Sequence, residues 1–363
     1  MTTVRFAFAA GLAQSKPFHG QGTPMANTHS RLDVAVIGAG LAGAACARAL
    51  AAAGHRPVLF DKGRGAGGRL STRRSETPLG EIRIDHGAQY VTARSPSFAT
   101  FLGGLSERGQ AALWNGRVVS IDPGGKMLDL RREDRWIGVP GMSAIVKAAL
   151  DGLDARFAMR ASHLSGAPGT WMVHCDAGDA NGPFDRVVLA VPPEQLIDLL
   201  AGSDGDFDTM ISDARSAVVA PCWAVMGVID APFDSGFDGA NLLDGDVRWM
   251  ARKNSRPGQS GPDVWVLHAS PEWSRAHLED AAEAVGLALW EAMQARFPQP
   301  PPVLLSAHRW RYALSEQAPG TPFALDASGT VGCAGDWRLG PRAECAWESG
   351  EALGEALAGS GSR

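Results

Sequence analysis

Little in this 363-residue chain points to thiol or metal chemistry. Its five cysteines, Cys46, Cys175, Cys222, Cys333 and Cys345, are scattered, with no C-x-x-C pair and no metal-like spacing. An odd, scattered set in a chain of this size fits a reducing cytoplasm better than a disulfide framework. No H-E-x-x-H element or paired Cys/His cluster supports a metal enzyme. No G-x-S-x-G element supports a serine hydrolase, and the spacing of Asp and Glu selects no glycoside chemistry. An excess of positive charge is missing too: the formal net charge of −5 offers nothing to nucleic acid or to an anionic membrane. No apolar run approaches the roughly 20 residues that span a bilayer. Arginine greatly outnumbers lysine, and the tyrosines are two, Tyr90 and Tyr312.

What the chain does have is concentrated between Leu32 and Arg74. Asp33 to Ile37 is a short apolar run suited to a buried parallel strand. Gly38, Gly40 and Gly43 follow in G-x-G-x-x-G spacing, which gives a tight turn, backbone access to a pyrophosphate, and close packing of helix on strand. Leu41 to Ala53 reads as an alanine-rich helix stopped at Gly54. Its N-terminus aims free N–H groups and a partial positive charge at a diphosphate. Pro57 to Phe60 makes a second strand, with Asp61 at its end to accept from an adenosine ribose. The spacing predicts a dinucleotide site.

Gly67-Gly68-Arg69 then follows the ribose acid in a stretch with no helical or strand periodicity. That pattern resembles the flavin oxidases of the amine oxidase superfamily, in which the turn approaches FAD and the arginine contacts its diphosphate region. Further segments extend the likeness: Asp85-His86-Gly87-Ala88-Gln89-Tyr90, Pro140-Gly141-Met142, and Val187 to Pro193. Trp265 to Ser270 with Trp273-Ser274, and Cys333-Ala334-Gly335-Asp336-Trp337 with Glu344-Cys345-Ala346-Trp347, complete it. Together they cover nearly everything after Arg31 and resemble the bacterial renalase-like FAD-dependent oxidoreductases.

The resemblance implies an α/β fold: a discontinuous Rossmann-type FAD domain with an inserted α+β substrate domain of mixed or antiparallel sheet. The FAD domain is expected at 31–92, 151–191 and 306–360, and the substrate domain at 93–150 and 192–305. Strands are expected at Val218–Ile229, Arg248–Arg252 and Val264–Ala269. A helix is expected over Leu278–Arg296, ended by the run of prolines from Pro298. Residues 1–30 read as a disordered extension without assigned function.

The resemblance also implies a non-covalent FAD site. Its glycine turn comprises Gly38, Ala39, Gly40, Leu41, Ala42 and Gly43. Asp61, Lys62, Gly68, Arg69 and Ala161 follow, and Gln89 and Tyr90 lie beside the flavin. At the far end, Asp336 bonds the ribityl chain, and the helix near Glu344, Cys345 and Ala346 points its positive end at the flavin's pyrimidine oxygen. His268, on a buried strand, joins Gln89 and Tyr90 as a catalytic candidate. Arg252, Trp273, Arg309 and Tyr312 are candidates for holding a nucleotide substrate.

The reaction implied is oxidation of off-pathway dihydro isomers of NAD(P)H to NAD(P)+, with dioxygen reduced to hydrogen peroxide. A dihydronicotinamide is already a hydride donor, so positioning over flavin N5 matters more than an acid or base. This suits a chain without a His–Asp or Cys–His pair. Two alternatives stay open: an amine oxidase or desaturase on the same fold, and a flavoprotein that turns over nothing.

Overall fold

Val34, Ala35 and Val36 are completely buried, as expected of a strand covered on both faces of a parallel sheet. The computed structural model describes residues 31–359 except Arg132, Ala177, Asp179 and Pro232. The extension expected at 1–30 lies outside the described residues. Strand Asp33–Ile37, helix Leu41–Ala52 and strand Arg56–Phe60 follow the sequence reading to within a residue. The first strand pairs in parallel with Arg56–Phe60 on one side and Arg186–Leu189 on the other. Asp154–Arg156 and Val331–Ala334 extend the sheet in parallel, and Phe323–Leu325 closes one edge antiparallel. Among the described residues this sheet has six strands, drawn from distant parts of the chain.

One long helix, Ala343–Gly359, lies against Leu41–Ala52. The contact is set by two glycines. A Cβ on Gly350 would meet the Ala42 carbonyl oxygen at 2.0 Å, and one on Gly354 the Cys46 carbonyl oxygen at 2.6 Å. The helices therefore meet backbone to backbone, and any larger residue would push them apart.

A second sheet of seven described strands runs in the order Leu304–Gln317, Val218–Ile229, Asp263–Ala269, Val247–Arg252, Gly239–Leu242, Val118–Ile121, Met127–Asp129. All its pairings are antiparallel except that of Gly239–Leu242 with Val118–Ile121. One face packs on helix Ala282–Arg296 through Trp265, Leu267, Leu289 and Trp290. The other meets the hairpin Thr72–Thr77/Gly80–Asp85 through Ile82, Ile84, Met226 and Val266. Arg31–Arg363 clusters as one compact unit, so both sheets belong to one body.

Two boundaries differ from the sequence reading. Leu304–Gln317 pairs with Val218–Ile229 along most of its length, so the chain rejoins the six-stranded sheet only after this strand. That strand lies at the edge and is half-buried over most of its length, which blurs the alternation that would have revealed it. The helix expected from Leu278 starts at Ala282, after a short helix Pro271–Ala276 whose N-cap Ser270 accepts from Trp273 N. Among the described residues no helix is long and apolar enough to cross a membrane.

Candidate cofactor and substrate site

The glycine turn is shaped by what crowds each Cβ position. Gly38 has φ +105°, and a Cβ there would sit 2.3 Å from the Ala190 carbonyl oxygen; on Gly43 it would sit 1.9 Å from that of Gly38. At Gly40 a Cβ would meet nothing within 4 Å. Gly38 and Gly43 thus serve packing, and Gly40 leaves open space at the N-terminus of Leu41–Ala52, where backbone N–H groups collect. The second turn approaches the same spot: a Cβ on Gly68 (φ +52°) would lie 3.5 Å from Gly40 Cα. Asp61 is anchored here, its Oδ2 accepting from Ala39 N at 2.8 Å and its Oδ1 from Gly63 N at 2.7 Å. It ties the two turns together and keeps spare lone pairs for a ribose. These features fit the diphosphate and ribose of a dinucleotide.

Arg69 and Asp336, expected to touch FAD separately, face each other. Arg69 Nη1 donates to Asp336 Oδ2 at 2.7 Å, Nη2 to Oδ1, and Nη1 also to the Ala313 carbonyl at 3.2 Å. This bidentate pair joins the second glycine turn to the end of strand Val331–Ala334. The neighbouring Arg338 is almost fully buried; it pairs with Asp213, bonds Thr321 and lies over the Trp337 ring. It anchors the closing segment and takes no ligand.

A buried network lies beyond. Asp85 accepts from Thr72 Oγ1 (2.6 Å), Met142 N (2.9 Å) and Arg256 Nη1 (3.1 Å). Arg256 also donates to Gln89 Oε1, and its guanidinium lies 5.4 Å from the centre of the Trp114 ring. Gln89 uses its amide nitrogen on the carbonyls of Asp85 (2.5 Å) and Gly87 (3.0 Å). The Gln89 carboxamide, expected beside the flavin, bonds this segment and Arg256. What it holds is the Gly87-Ala88 backbone, where Ala88 N donates to the Arg69 carbonyl at 2.8 Å and a Gly87 Cβ would meet that oxygen at 2.0 Å.

The seven-stranded sheet contributes an aromatic and imidazole surface. His86 stacks on Trp310 (5.1 Å, 23°) and meets His308 edge-on (4.7 Å). Tyr90 packs near Trp114 (6.0 Å) and Trp249 (5.8 Å), with Arg135 over its ring. His268 pairs in register with Ala224 and Trp249. Burial pushes the His86 imidazole down to about 3, helped by the charges of His308 and Arg73. Burial, with Arg256 nearby, pushes His268 down to about 4. Both rings are neutral at physiological pH. His86 Nδ1, His268 Nε2 and Trp249 Nε1 are sealed from water and have no hydrogen-bond partner. Trp265 Nε1 and Trp290 Nε1 in the helix-covered core are unpartnered in the same way.

Other candidates fall elsewhere. Arg309 projects from the opposite face to Trp310, as alternation along a strand requires, and pairs with Glu279 and the Leu278 carbonyl. Trp273 stacks on His277 and packs against the helix-covered core. Neither faces the aromatic and imidazole surface. Arg252 is held by Asp263 at 2.7 Å. Tyr312 lies near Glu194 and Asp198, which together with burial raise its hydroxyl's affinity for a proton. Lys62 reaches Gln195 Oε1 at 3.0 Å. Ala161 opens a small antiparallel sheet, just after Met159 N bonds the Asp61 carbonyl. The Glu344 side chain is fully buried: its Oε1 accepts from Arg94 N and Ser95 N, and its Oε2 lies 3.3 Å from Arg342 Nη2. Cys345 and Ala346 are buried in the same first turn. The sequence reading missed His86, His308 and Arg256 as site residues. The alternation His308-x-Trp310 was the available signal for one of them.

Residues 36–105 match the family described as NAD(P)-binding Rossmann-like domain, a stretch running from the first strand past Arg69 and Tyr90. Solved structures match over almost the whole chain. A provisionally named protoporphyrinogen oxidase from Exiguobacterium sp. 255-15 aligns with a TM-score of 0.72 at 13% identity, covering 91% of this chain and 99% of its own. Cyclohexylamine oxidase from Brevibacterium oxydans IH-35A gives 0.71 at 13%, covering 92% and 100%. Putrescine oxidase bound to putrescine gives 0.66 at 15%, covering 91% and 98%. The fold is that of the flavin amine oxidases. At these identities the likeness concerns architecture: a Rossmann-like parallel sheet joined to a second mixed sheet.

Proposed function

We propose that this protein is an FAD-dependent oxidoreductase that takes hydride from a dihydronicotinamide nucleotide, an isomer of NAD(P)H, and passes the electrons to dioxygen, giving hydrogen peroxide. The observation that carries the flavin is the convergence of Gly40, Gly68, Arg69 and Asp336 from both ends of the chain. The strand–helix–strand unit alone serves NAD(P) and FAD equally; the second glycine turn and the closing acid favour FAD.

FAD supplies a two-electron acceptor at N5 when bound. The chain's own residues bind and orient. The turn at Gly38–Gly43 offers N–H groups to the diphosphate, Asp61 the ribose contact, and the Arg69–Asp336 pair a polar seat between the sheets. The imidazoles of His86 and His268 are neutral at pH 7, and burial makes both weak proton acceptors. A dihydronicotinamide needs no base to release hydride, so holding its donor carbon at near-attack distance is the main task.

A second reading, oxidation of an amine, draws support from the aromatic wall of Tyr90, Trp114 and Trp249 and from the shared fold. Anaerobic mixing of the yellow protein with borohydride-reduced NAD, with putrescine and with cyclohexylamine separates the readings. Rapid flavin bleaching by the reduced nucleotide, and peroxide on adding air, is expected. Bleaching by an amine alone would reverse the ranking, and bleaching by neither would leave a flavoprotein without turnover.

A further inference from the structure

Three arginines are buried among the described residues: Arg135, Arg256 and Arg338. Two of them pair with a carboxylate, Arg256 with Asp85 and Arg338 with Asp213. Arg135, only 6% exposed, has no ion pair and no side-chain hydrogen bond among the described residues. A buried guanidinium without a counter-charge is costly, and its N–H groups need acceptors. The Tyr90 ring, its centre 5.5 Å from the guanidinium carbon, attracts the charge, but a ring face supplies no oxygen lone pair.

Strand register sets the direction of this arginine. Val91 bridges Trp136, and strand Ala111–Leu113 pairs with Trp136–Gly138 so that Leu113 stands opposite Trp136. Side chains one residue away from each of these fall on the other face, so Tyr90, Trp114 and Arg135 share it. Trp249 of the seven-stranded sheet closes on Tyr90, with 5.8 Å between ring centres. Arg135 Nε is sealed from water. Its Nη groups and the hydroxyl of the half-buried Tyr90, also unpartnered among the described residues, keep contact with solvent. A charged donor and a neutral one thus stand on the aromatic wall, two residues beyond Ala88, whose N–H bonds the Arg69 carbonyl.

We propose that Arg135 and Tyr90 form a subsite for an oxyanion of the substrate, the guanidinium donating through its Nη groups and the phenol through its hydroxyl. A phosphate and a carboxylate share that chemistry. The choice between them rests on the dihydronicotinamide reading above, which makes it the nucleotide's phosphate. On the same reading the FAD diphosphate has its own seat at the N-terminus of Leu41–Ala52.

Calorimetric titration of the FAD-loaded protein with matched ligands tests this without turnover: nicotinamide mononucleotide against nicotinamide riboside, and benzoate against benzamide. Wild type is expected to prefer the mononucleotide to the riboside by about tenfold to a hundredfold, the worth of a charge-assisted hydrogen bond. Arg135→Met loses that preference and, as apo protein, melts no earlier than wild type, because it removes an unpaired buried charge. Arg135→Lys, which keeps the charge without the planar fork, regains part of it. FAD dissociation constants, read by flavin fluorescence, are expected to agree within about twofold. A preference for benzoate alone, lost in Arg135→Met, keeps the subsite and overturns the nucleotide reading. No anion preference in either pair, or one that Arg135→Met leaves intact, overturns the subsite; flavin bleaching by reduced NAD then reports on the nucleotide reading separately. If the preference is lost and the apo protein also melts earlier, Arg135→Lys separates the cases: partial recovery supports the subsite, and none makes Arg135 structural and overturns it. FAD binding weakened tenfold in Arg135→Met gives the guanidinium to the cofactor and overturns the subsite too.

Discussion

At the glycine-turn end of the site, the groups offered to a ligand are mostly backbone, exposed by Gly40 and Gly68 around one helix start. On the sheet face they are side chains, His86, Trp249, His268, His308 and Trp310, brought together by strand pairing across much of the chain. A backbone cradle depends on local spacing and tolerates few changes. A side-chain surface depends on register and on the buried network that holds Gly87 and Ala88 in place. The two halves should therefore fail in different ways.

The largest effect is expected at Arg256, whose pair with Asp85 is almost completely buried. Arg256→Ala leaves that carboxylate without its counter-charge in the core, still bonded by Thr72 and Met142 N, and should cost about 3–5 kcal/mol in denaturant unfolding. Pairing Arg256→Met with Asp85→Asn should recover part of the loss. A cost below about 1 kcal/mol would mean that the sheet-face half does not depend on this network.

Acid comes next. The folded-state affinities of His86 and His268 for protons are depressed to about 3 and about 4, against about 6.5 in the unfolded chain. The unfolded state therefore binds more protons below pH 6.5. Stability is complete above that value and falls as pH drops toward 4, by up to about 1.4 kcal/mol per histidine per unit. Unfolding of wild type and of the His86→Phe, His268→Phe double variant at pH 7 and pH 5 measures this. Equal losses in both proteins would remove the histidines as the cause.

Arg69→Ala should weaken FAD binding tenfold to a hundredfold, a charge-assisted contact of about 1.5–3 kcal/mol. Asp336, largely buried, loses its bidentate partner, so the apo protein should be destabilised too, which a surface-loop arginine would not do. Fluorescence recovery for the cofactor and thermal melts of the apo form read the two effects separately.

Glycine replacements sharpen the backbone half. Gly43→Ala forces a Cβ into the Gly38 carbonyl and should lower apo stability by about 1–3 kcal/mol. Gly40→Ala meets open space, so it should leave the apo melt unchanged and weaken FAD instead. Identical behaviour of the two would deny the division of labour within the motif. The smallest effect belongs to Arg309→Ala, within about 0.5 kcal/mol, with KM for reduced nucleotide unchanged. A tenfold rise in KM would return Arg309 to the site.

The backbone half was legible because its constraint is written within a few residues: glycines at 38, 40 and 43, then Asp61, then Gly67-Gly68-Arg69. The strand Val218–Ile229 was legible to the residue for a similar reason, a long apolar run with clear ends. Leu304–Gln317 was not, since polar and apolar side chains share both of its half-buried faces. Gln89 and Glu344 were placed by motif at the cofactor, yet their side chains serve buried backbone groups at Asp85, Gly87, Arg94 and Ser95. A motif fixes where a residue stands. It does not fix which neighbour takes its hydrogen bonds, because that depends on long-range packing.

The glycine crossing between Leu41–Ala52 and Ala343–Gly359 also sets a timetable. During synthesis the strand–helix–strand unit emerges long before the residues that cover its alanine-rich face. Until Gly350 and Gly354 arrive, that helix lacks its partner, and Asp336 is not yet there to meet Arg69. On the proposed FAD reading, cofactor capture is then a late event, after the ribosome has made the last helix. A nascent chain stalled before residue 343 would carry the whole glycine motif without the helix that packs on it.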